Sequence, residues 1–220
     1  MKRPSKETQK NPWAQSRATG RRRQDFRRQC RRFLIVCEGE KTEPNYFKSL
    51  AALLDWDKID VEIDPAGMNT RSLVDRAIPR KMDRNDVGEP LFDEIWVVFD
   101  KDSFKPDQFD NAIHKAEAAG LKVAWSNEAF ELWYVLHFQY RNTGMPREDY
   151  QRVLTGYLKQ PYKKNDSEMY DKHGQLGNQP RAIRFAKRLE MARTDASCQP
   201  SAAHPCTLVY KLVETLLKHR

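Results

Sequence analysis

Short runs of apolar residues predict four β-strands in the first two thirds of the chain. The stretches 33–37 and 94–99 are almost continuously apolar, 121–125 is similar, and 58–64 alternates between polar and apolar positions. Continuous apolar runs of this length are typical of strands that are covered on both faces. The four runs therefore predict a largely buried sheet.

Helical periodicity separates these strands and continues after the last of them. Predicted helices cover 42–54, 69–78, 106–120, 127–138, 147–159, 180–193 and 205–218. Strands that alternate with helices favour an α/β fold with a mostly parallel sheet flanked by helices. The last three helices predict a helical C-terminal part. The polar stretch 160–179 is expected to be a long loop, either solvated or in contact with nucleic acid.

Positive charge is concentrated at the N-terminus of the chain. The net charge of the 220 residues is +8, but residues 1–32 contain 12 Lys or Arg against Glu7 and Asp25. Seven of the nine arginines in this stretch are clustered near its C-terminal end: Arg21, Arg22, Arg23, Arg27, Arg28, Arg31 and Arg32. Clustered arginines bind phosphate well, so residues 1–31 are either a disordered solubilising arm or an arm that binds nucleic acid.

The remaining composition sets the expected domain organisation and compartment. Residues 32–220 are expected to form one domain, with an α/β core over about 32–140 and the helical part over about 145–220. The chain has no apolar run of about 18 residues and no CxxC pair among its four cysteines. Because no apolar stretch follows the first basic residues, we expect no secretory signal. We therefore expect a cytoplasmic protein that does not associate with membranes.

Acidic residues follow the predicted strands at the positions where ligands bind in parallel sheets. The carboxyl ends of these strands lie at one edge, where crowded carboxylates repel unless a cation neutralises them. Oxygen ligands suit Mg²⁺ or Mn²⁺, and we expect one or two ions. The candidate ligands are Glu38, Asp100, Asp102 and Glu131, followed by Glu40 and Glu128.

Three further residues have two plausible roles each. Lys41 and Lys101 are adjacent to candidate ligands, so they either contact a phosphate or simply balance charge. His137 lies in a strongly apolar helix pattern, where it is either a hydrogen-bonded core residue or a general base. A single acidic residue after a strand is also a common helix cap, so the combined pattern carries the metal prediction.

Three ordered motifs resemble a known family. The stretches 37-CEGEKTEPNYF-47, 97-VVFDKDSF-104 and 126-SNEAFELWYVLHF-138 resemble the RloB-like family, whose members are linked with restriction and abortive-infection loci. More widely, a Glu-Gly after one strand and a D-x-D after another resemble the Toprim fold of topoisomerases, primases and OLD-type nucleases. The resemblance implies a Toprim-like (Rossmann-like) α/β fold.

The resemblance also implies roles for particular residues. Glu38 matches the Toprim glutamate, which binds metal or acts as a general acid or base, and Asp100 and Asp102 match the metal-binding aspartates. Glu131 matches the acidic position of the family's F-E-L-W motif. An ABC-type ATPase is the partner that the resemblance implies.

These observations lead to one main functional hypothesis and two alternatives. The main hypothesis is a metal-dependent phosphodiesterase (nuclease) that cleaves nucleic acid in anti-phage defence, with catalysis by Glu38, Asp100 and Asp102. RNA, including tRNA, and DNA are both compatible substrates. One alternative is a non-catalytic nucleic-acid-binding or adaptor subunit of a defence complex, and the other is a primase-like nucleotidyltransferase.

Overall fold

A five-stranded sheet forms the centre of the protein. We describe a computed structural model, which covers residues 30–81, 91–101, 105–193 and 198–220. The strands are β1 (Arg31–Cys37), β2 (Ile59–Pro65), β3 (Glu94–Asp100), β4 (Lys122–Asn127) and β5 (Cys206–Thr207). Their order is β2-β1-β3-β4-β5, with the first four parallel and β5 antiparallel to β4.

Helices cover both faces of this sheet. They are α1 (Thr42–Ala51), α2 (Thr70–Ala77), α3 (Pro106–Ala118), α4 (Glu131–Leu136), α5 (Arg147–Leu158), α6 (Met169–Leu176), α7 (Gln179–Arg193) and α8 (Val209–Leu217), with short 3-10 helices at Pro79–Lys81 and Pro200–Ala202. The helices α2 and α3 cover one face, and the others lie on the opposite face. This architecture is a mixed α/β, Rossmann-like fold, as the sequence predicts.

Successive side chains of β1 point to opposite faces of the sheet, so this strand contributes to two hydrophobic clusters. Leu34 and Val36 pack against α2 and α3, whereas Phe33 and Ile35 pack into the larger cluster on the other face. All four side chains are completely buried. Because both faces of the strand are covered, its sequence is a continuous apolar run and not an alternating one.

Three predicted boundaries differ from the structure. The helix predicted over 127–138 is shorter, because residues up to Asn127 belong to β4 and α4 begins at Glu131. The predicted loop 160–179 contains α6, and the helix predicted from 205 is preceded by β5. Within the described ranges, no helix is long and apolar enough to cross a membrane.

Candidate functional site

The site lies where the sheet order reverses. From β1 the chain crosses to β2 on one side and later to β3 on the other, so a crevice opens at the carboxyl ends of β1 and β3. Glu38 follows β1 and spans this point. Its Oε2 accepts a hydrogen bond from the Asp100 backbone N at 3.1 Å, and its Oε1 accepts one from Thr70 Oγ1 at 2.9 Å. The glutamate is thus fixed across the sheet edge.

Asp100 ends β3 and is almost completely buried beside Glu38. Its Oδ2 accepts hydrogen bonds from the Phe130 backbone N and from the Arg147 guanidinium, both at 3.0 Å. Its Oδ1 is buried and has no hydrogen-bond partner among the described residues. Burial and the nearby Glu43 raise the pKa of Asp100 well above its usual value, and Arg147 opposes that increase.

A cavity of about 400 Å³ opens in front of these two carboxylates. The acidic residues in its wall are Glu38, Glu40, Glu43, Asp100 and Glu131, and the basic ones are Lys41, Arg147 and Lys164. The cavity therefore offers carboxylate oxygens that could bind a metal cation and basic side chains that could bind a phosphate.

Glu131 closes the side of the cavity formed by α4. Only 2% of the residue is exposed. Its Oε1 accepts hydrogen bonds from Gln151 Nε2 at 3.2 Å and from the Tyr162 hydroxyl at 3.3 Å, and its Oε2 lies 3.7 Å from Arg147 Nε. Glu131 thus connects α4 to α5 and to the segment before α6.

A comparison with protein families agrees with the motifs that build this edge. The family described as RloB-like protein matches residues 33–216, which include every strand and helix that contributes to the cavity. The chain belongs to the RloB-like family. Comparisons with curated proteins and with solved structures gave no match.

The donor set of this RloB-like protein fits a hard divalent cation. The candidate ligand atoms are all carboxylate oxygens. One of them, Oδ1 of Asp100, has no hydrogen-bond partner among the described residues, and Glu38 is hydrogen-bonded to the backbone of the same residue. Mg²⁺ usually takes only one or two protein carboxylates and keeps several waters. Among the residues that the structure describes, no group of three or more His, Cys, Asp or Glu is arranged to hold a metal, and Asp102 lies outside them.

Two residues of the site were missed in the sequence. Glu43, in the first turn of α1, is 5% exposed, and burial, with Glu131 and Glu38 adding, raises its pKa to about 7. Arg147, the first residue of α5, forms the ion pair with Asp100. The repeated acidic spacing in 38-EGEKTE-43 was a usable signal for Glu43. No signal marked Arg147, because it comes 47 positions after Asp100.

Two predicted residues lie away from the cavity. Glu128 lies within the helix predicted over 127–138, but α4 begins only at Glu131, so the two glutamates do not share a helix face. Glu128 and Lys101 are both close enough to His204 to change its pKa. Burial lowers the pKa of His204, the charge of Glu128 opposes this decrease, and the charge of Lys101 adds to it. Glu128 and Lys101 therefore face the His204 side of the sheet end and do not line the cavity.

The mouth of the cavity is formed by α1 and by the segment before α6. Glu40 and Lys41 are exposed there. Thr42 does not cap α1; its Oγ1 donates a hydrogen bond to the Lys164 carbonyl at 3.1 Å. The stretch 160–168 is thus in contact with the site, where it contributes Lys164 and Asn165 to the wall.

His137 lies in the core and not at the cavity. It is 2% exposed, and its Nδ1 is 2.9 Å from the Trp133 carbonyl oxygen. Burial and the neighbouring His173 lower its pKa to about 3. These contacts are those of the hydrogen-bonded core histidine that the sequence left open as one of two roles.

Most of the predicted basic arm lies outside the described residues, including Arg21, Arg22, Arg23, Arg27 and Arg28. The last two predicted arginines belong to β1. Arg31 pairs with Glu94 at 3.0 Å, and Arg32 pairs with Asp60 at 3.0 Å. Both guanidiniums therefore help to hold β1 in the sheet.

Proposed function

We propose that this protein is a metal-dependent phosphodiesterase that cleaves nucleic acid, with RNA as the first candidate substrate, in anti-phage defence. The carrying observation is the buried, unpartnered Oδ1 of Asp100 beside Glu38, at the switch point of a parallel sheet. A buried carboxylate oxygen without a hydrogen-bond partner destabilises the fold, and a bound cation would compensate for that cost.

Acidic residues of the cavity would bind the metal ion, and basic residues would bind the phosphate. Glu38 and Asp100 would hold Mg²⁺ or Mn²⁺, together with Asp102, which lies outside the described residues. The ion would supply Lewis-acid polarisation of the phosphate. Lys41 and Lys164 line the mouth and would bind the phosphate oxygens.

The charge distribution and the family support a nucleic-acid substrate. Residues 1–32 contain 12 basic side chains and two acidic ones, which favours a polyanionic ligand. Membership of the RloB-like family is consistent with a defence-related role. An ABC-type ATPase remains the proposed partner, and it would restrain an enzyme that damages host nucleic acid.

One observation favours a second candidate, a nucleic-acid-binding adaptor that does not cleave. Arg147 already neutralises part of the charge on Asp100, which reduces the need for a cation. An adaptor would bind nucleic acid equally well after Asp100 and Glu38 are replaced.

Cleavage assays separate the two candidates. Total tRNA, single-stranded RNA and supercoiled plasmid are incubated with the protein in Mg²⁺, Mn²⁺ or EDTA. The variants are Glu38→Ala and Asp100→Asn, with Glu117→Ala and Asp57→Asn as exposed controls. We expect metal-dependent cutting that falls on the order of 100-fold or more in the two site variants only.

Metal binding provides a second measurement on the same proteins. Mg²⁺ or Mn²⁺ should raise the melting temperature of the native chain and of both controls, but not of Asp100→Asn. Cutting that persists in EDTA, or in both site variants, would overturn the proposal. Absence of cutting together with unchanged nucleic-acid binding by the variants would support the adaptor.

A further inference from the structure

Four arginines of α7 lie beside the segment 138–142, and none of them lines the acidic cavity. We call them the arginine face: Arg181, Arg184, Arg188 and Arg193. In the part of the chain that is described, no carboxylate forms a salt bridge with any of the four. In contrast, the neighbouring Lys187 pairs with Glu214 at 2.7 Å.

Contacts with the segment 138–142 orient the arginines. Arg181 donates to the Phe138 carbonyl and Arg193 to the Asn142 carbonyl, both at 3.2 Å. A guanidinium has five N–H donors, so one bond to a carbonyl fixes the group and leaves donors for a phosphate. The side chains are thus held in place without being neutralised.

Aromatic rings lie beneath two of the arginines. The guanidinium of Arg188 lies 4.4 Å from the Tyr140 ring centre, and that of Arg184 lies 5.7 Å from the Phe185 ring centre. The two rings are themselves 5.3 Å apart. Guanidinium planes over aromatic rings are surfaces on which an unpaired base can stack.

Helix stability does not explain the position of Arg181. This residue lies in the first turn of α7, where the helix dipole disfavours positive charge. A polyanionic ligand would offset that cost.

We propose that the arginine face binds the phosphate backbone of an RNA that has unpaired loops. Duplex DNA keeps its bases stacked inside the helix, so the arginine–aromatic platform favours RNA. From Arg181 to Arg193 the face extends about 18 Å along α7, which is enough for several consecutive phosphates. The proposal rests on the proposed function in that it takes the substrate to be RNA.

The buried helix α4 connects the arginine face to the cavity. It begins at Glu131 in the cavity wall, and Phe138, two residues after its end, accepts the hydrogen bond from Arg181. This helix therefore links the cavity wall to the segment beside which the arginine face lies.

Binding of labelled tRNA in EDTA, over a series of salt concentrations, tests the proposal without any cleavage. The variant is the triple change Arg181→Gln, Arg184→Gln and Arg188→Gln. Its control, Arg71→Gln, Lys115→Gln and Lys122→Gln, removes the same formal charge from α2, from α3 and from the start of β4. A third protein carries Lys at the three positions of the face.

We expect the Gln triple to weaken tRNA binding about tenfold or more at about 100 mM salt and to lower the salt slope by about 2. The control should stay within about twofold of the native chain at that salt. The Lys triple should keep the slope but recover only part of the affinity, because it lacks planar stacking. If the Gln triple fails to fold, Arg184→Gln alone should lower the slope by about 0.7.

Equal effects of the Gln triple and of its control would overturn the proposal. Duplex DNA that binds as tightly as tRNA and is equally weakened by the triple would overturn the assignment to RNA. The result is independent of catalysis, because binding is measured in EDTA and no cleavage is needed. Failure of the nuclease assay would leave this measurement intact.

Discussion

At the scale of single residues, the site depends on a glycine that follows Glu38. A Cβ atom at Gly39 would lie only 2.9 Å from Cδ of Glu43 and closer still to Oε2 of that side chain. Glu43 is buried, so its carboxylate cannot simply swing into solvent. The small residue thus allows the buried carboxylate to pack against the turn after β1.

Gly39→Ala should therefore destabilise the protein by about 1–3 kcal/mol, measured by urea unfolding, because the added methyl group displaces Glu43. The double variant Gly39→Ala, Glu43→Ala should recover most of this loss. Gly156→Ala is the matched control, since nothing lies within 4 Å of the added Cβ. On α5 that change should stabilise slightly. Equal effects at the two glycines would contradict the assigned contact.

At the scale of elements, two buried histidines join α4 to α6. His173 stacks on Tyr134 with ring centres 4.4 Å apart, and its Nδ1 is hydrogen-bonded to the Met169 carbonyl. His137 lies 5.0 Å from it. Burial lowers the pKa of His173 from 6.5 to about 4, so both imidazoles are neutral in the folded protein at neutral pH.

This packing predicts a pH-dependent stability. The unfolded chain takes up protons below about pH 6.5, whereas folded His173 does so only near pH 4. The free energy of unfolding should therefore fall as the pH drops through this window, by about 3 kcal/mol from His173. Urea unfolding at about pH 7.5 and 4.5 should show a smaller loss for His173→Gln than for the native chain.

His114→Gln serves as the control, because His114 is exposed on α3. Its loss of stability with falling pH should match that of the native chain. If His173→Gln and the native chain lost the same free energy, the imidazole of His173 would not be responsible for the dependence.

The elements that sequence reasoning found are those with a strong hydrophobic period. The four parallel strands and most helices were confirmed, because buried strands and amphipathic helices leave a local signature. The two-residue strand β5 is too short to have a period, and α6 lies in a polar stretch. Pairing of Ser126 with Thr207 and of Asn127 with Cys206 extends β4 and delays the start of α4. That effect is tertiary and has no local signal.

The same distinction applies to the candidate site. Glu38 and Asp100 were predictable, because each follows a buried strand and the topology brings parallel strand ends together. Arg147 was not, since its role comes from the packing of α5 against α4, and only the acidic spacing after β1 pointed to Glu43. Lys101 does not line the cavity, since sequence adjacency to Asp100 does not fix the direction of a side chain.

At the scale of the whole molecule, the charges fall into separate regions with different expected roles. The acidic cavity lies at the sheet edge, the arginine face lies on α7, and the N-terminal arm holds most of the remaining excess positive charge. Distant and independent contacts contribute additively to a binding free energy. Each region should therefore change a different measured quantity.

Replacing the five clustered arginines of residues 21–28 with Gln should lower the salt slope of tRNA binding by about 3.5, since each removes about 0.7. The replaced residues are Arg21, Arg22, Arg23, Arg27 and Arg28. Binding is measured in EDTA by fluorescence anisotropy, and a version with Lys at the same positions should keep the slope. In a chain that also carries the Gln triple of the arginine face, the two losses in binding free energy should add. An unchanged salt slope in the arm variant would show that the arm does not bind tRNA. If the combined variant lost much less binding free energy than the sum of the two separate losses, the arm and the arginine face would compete for the same phosphates.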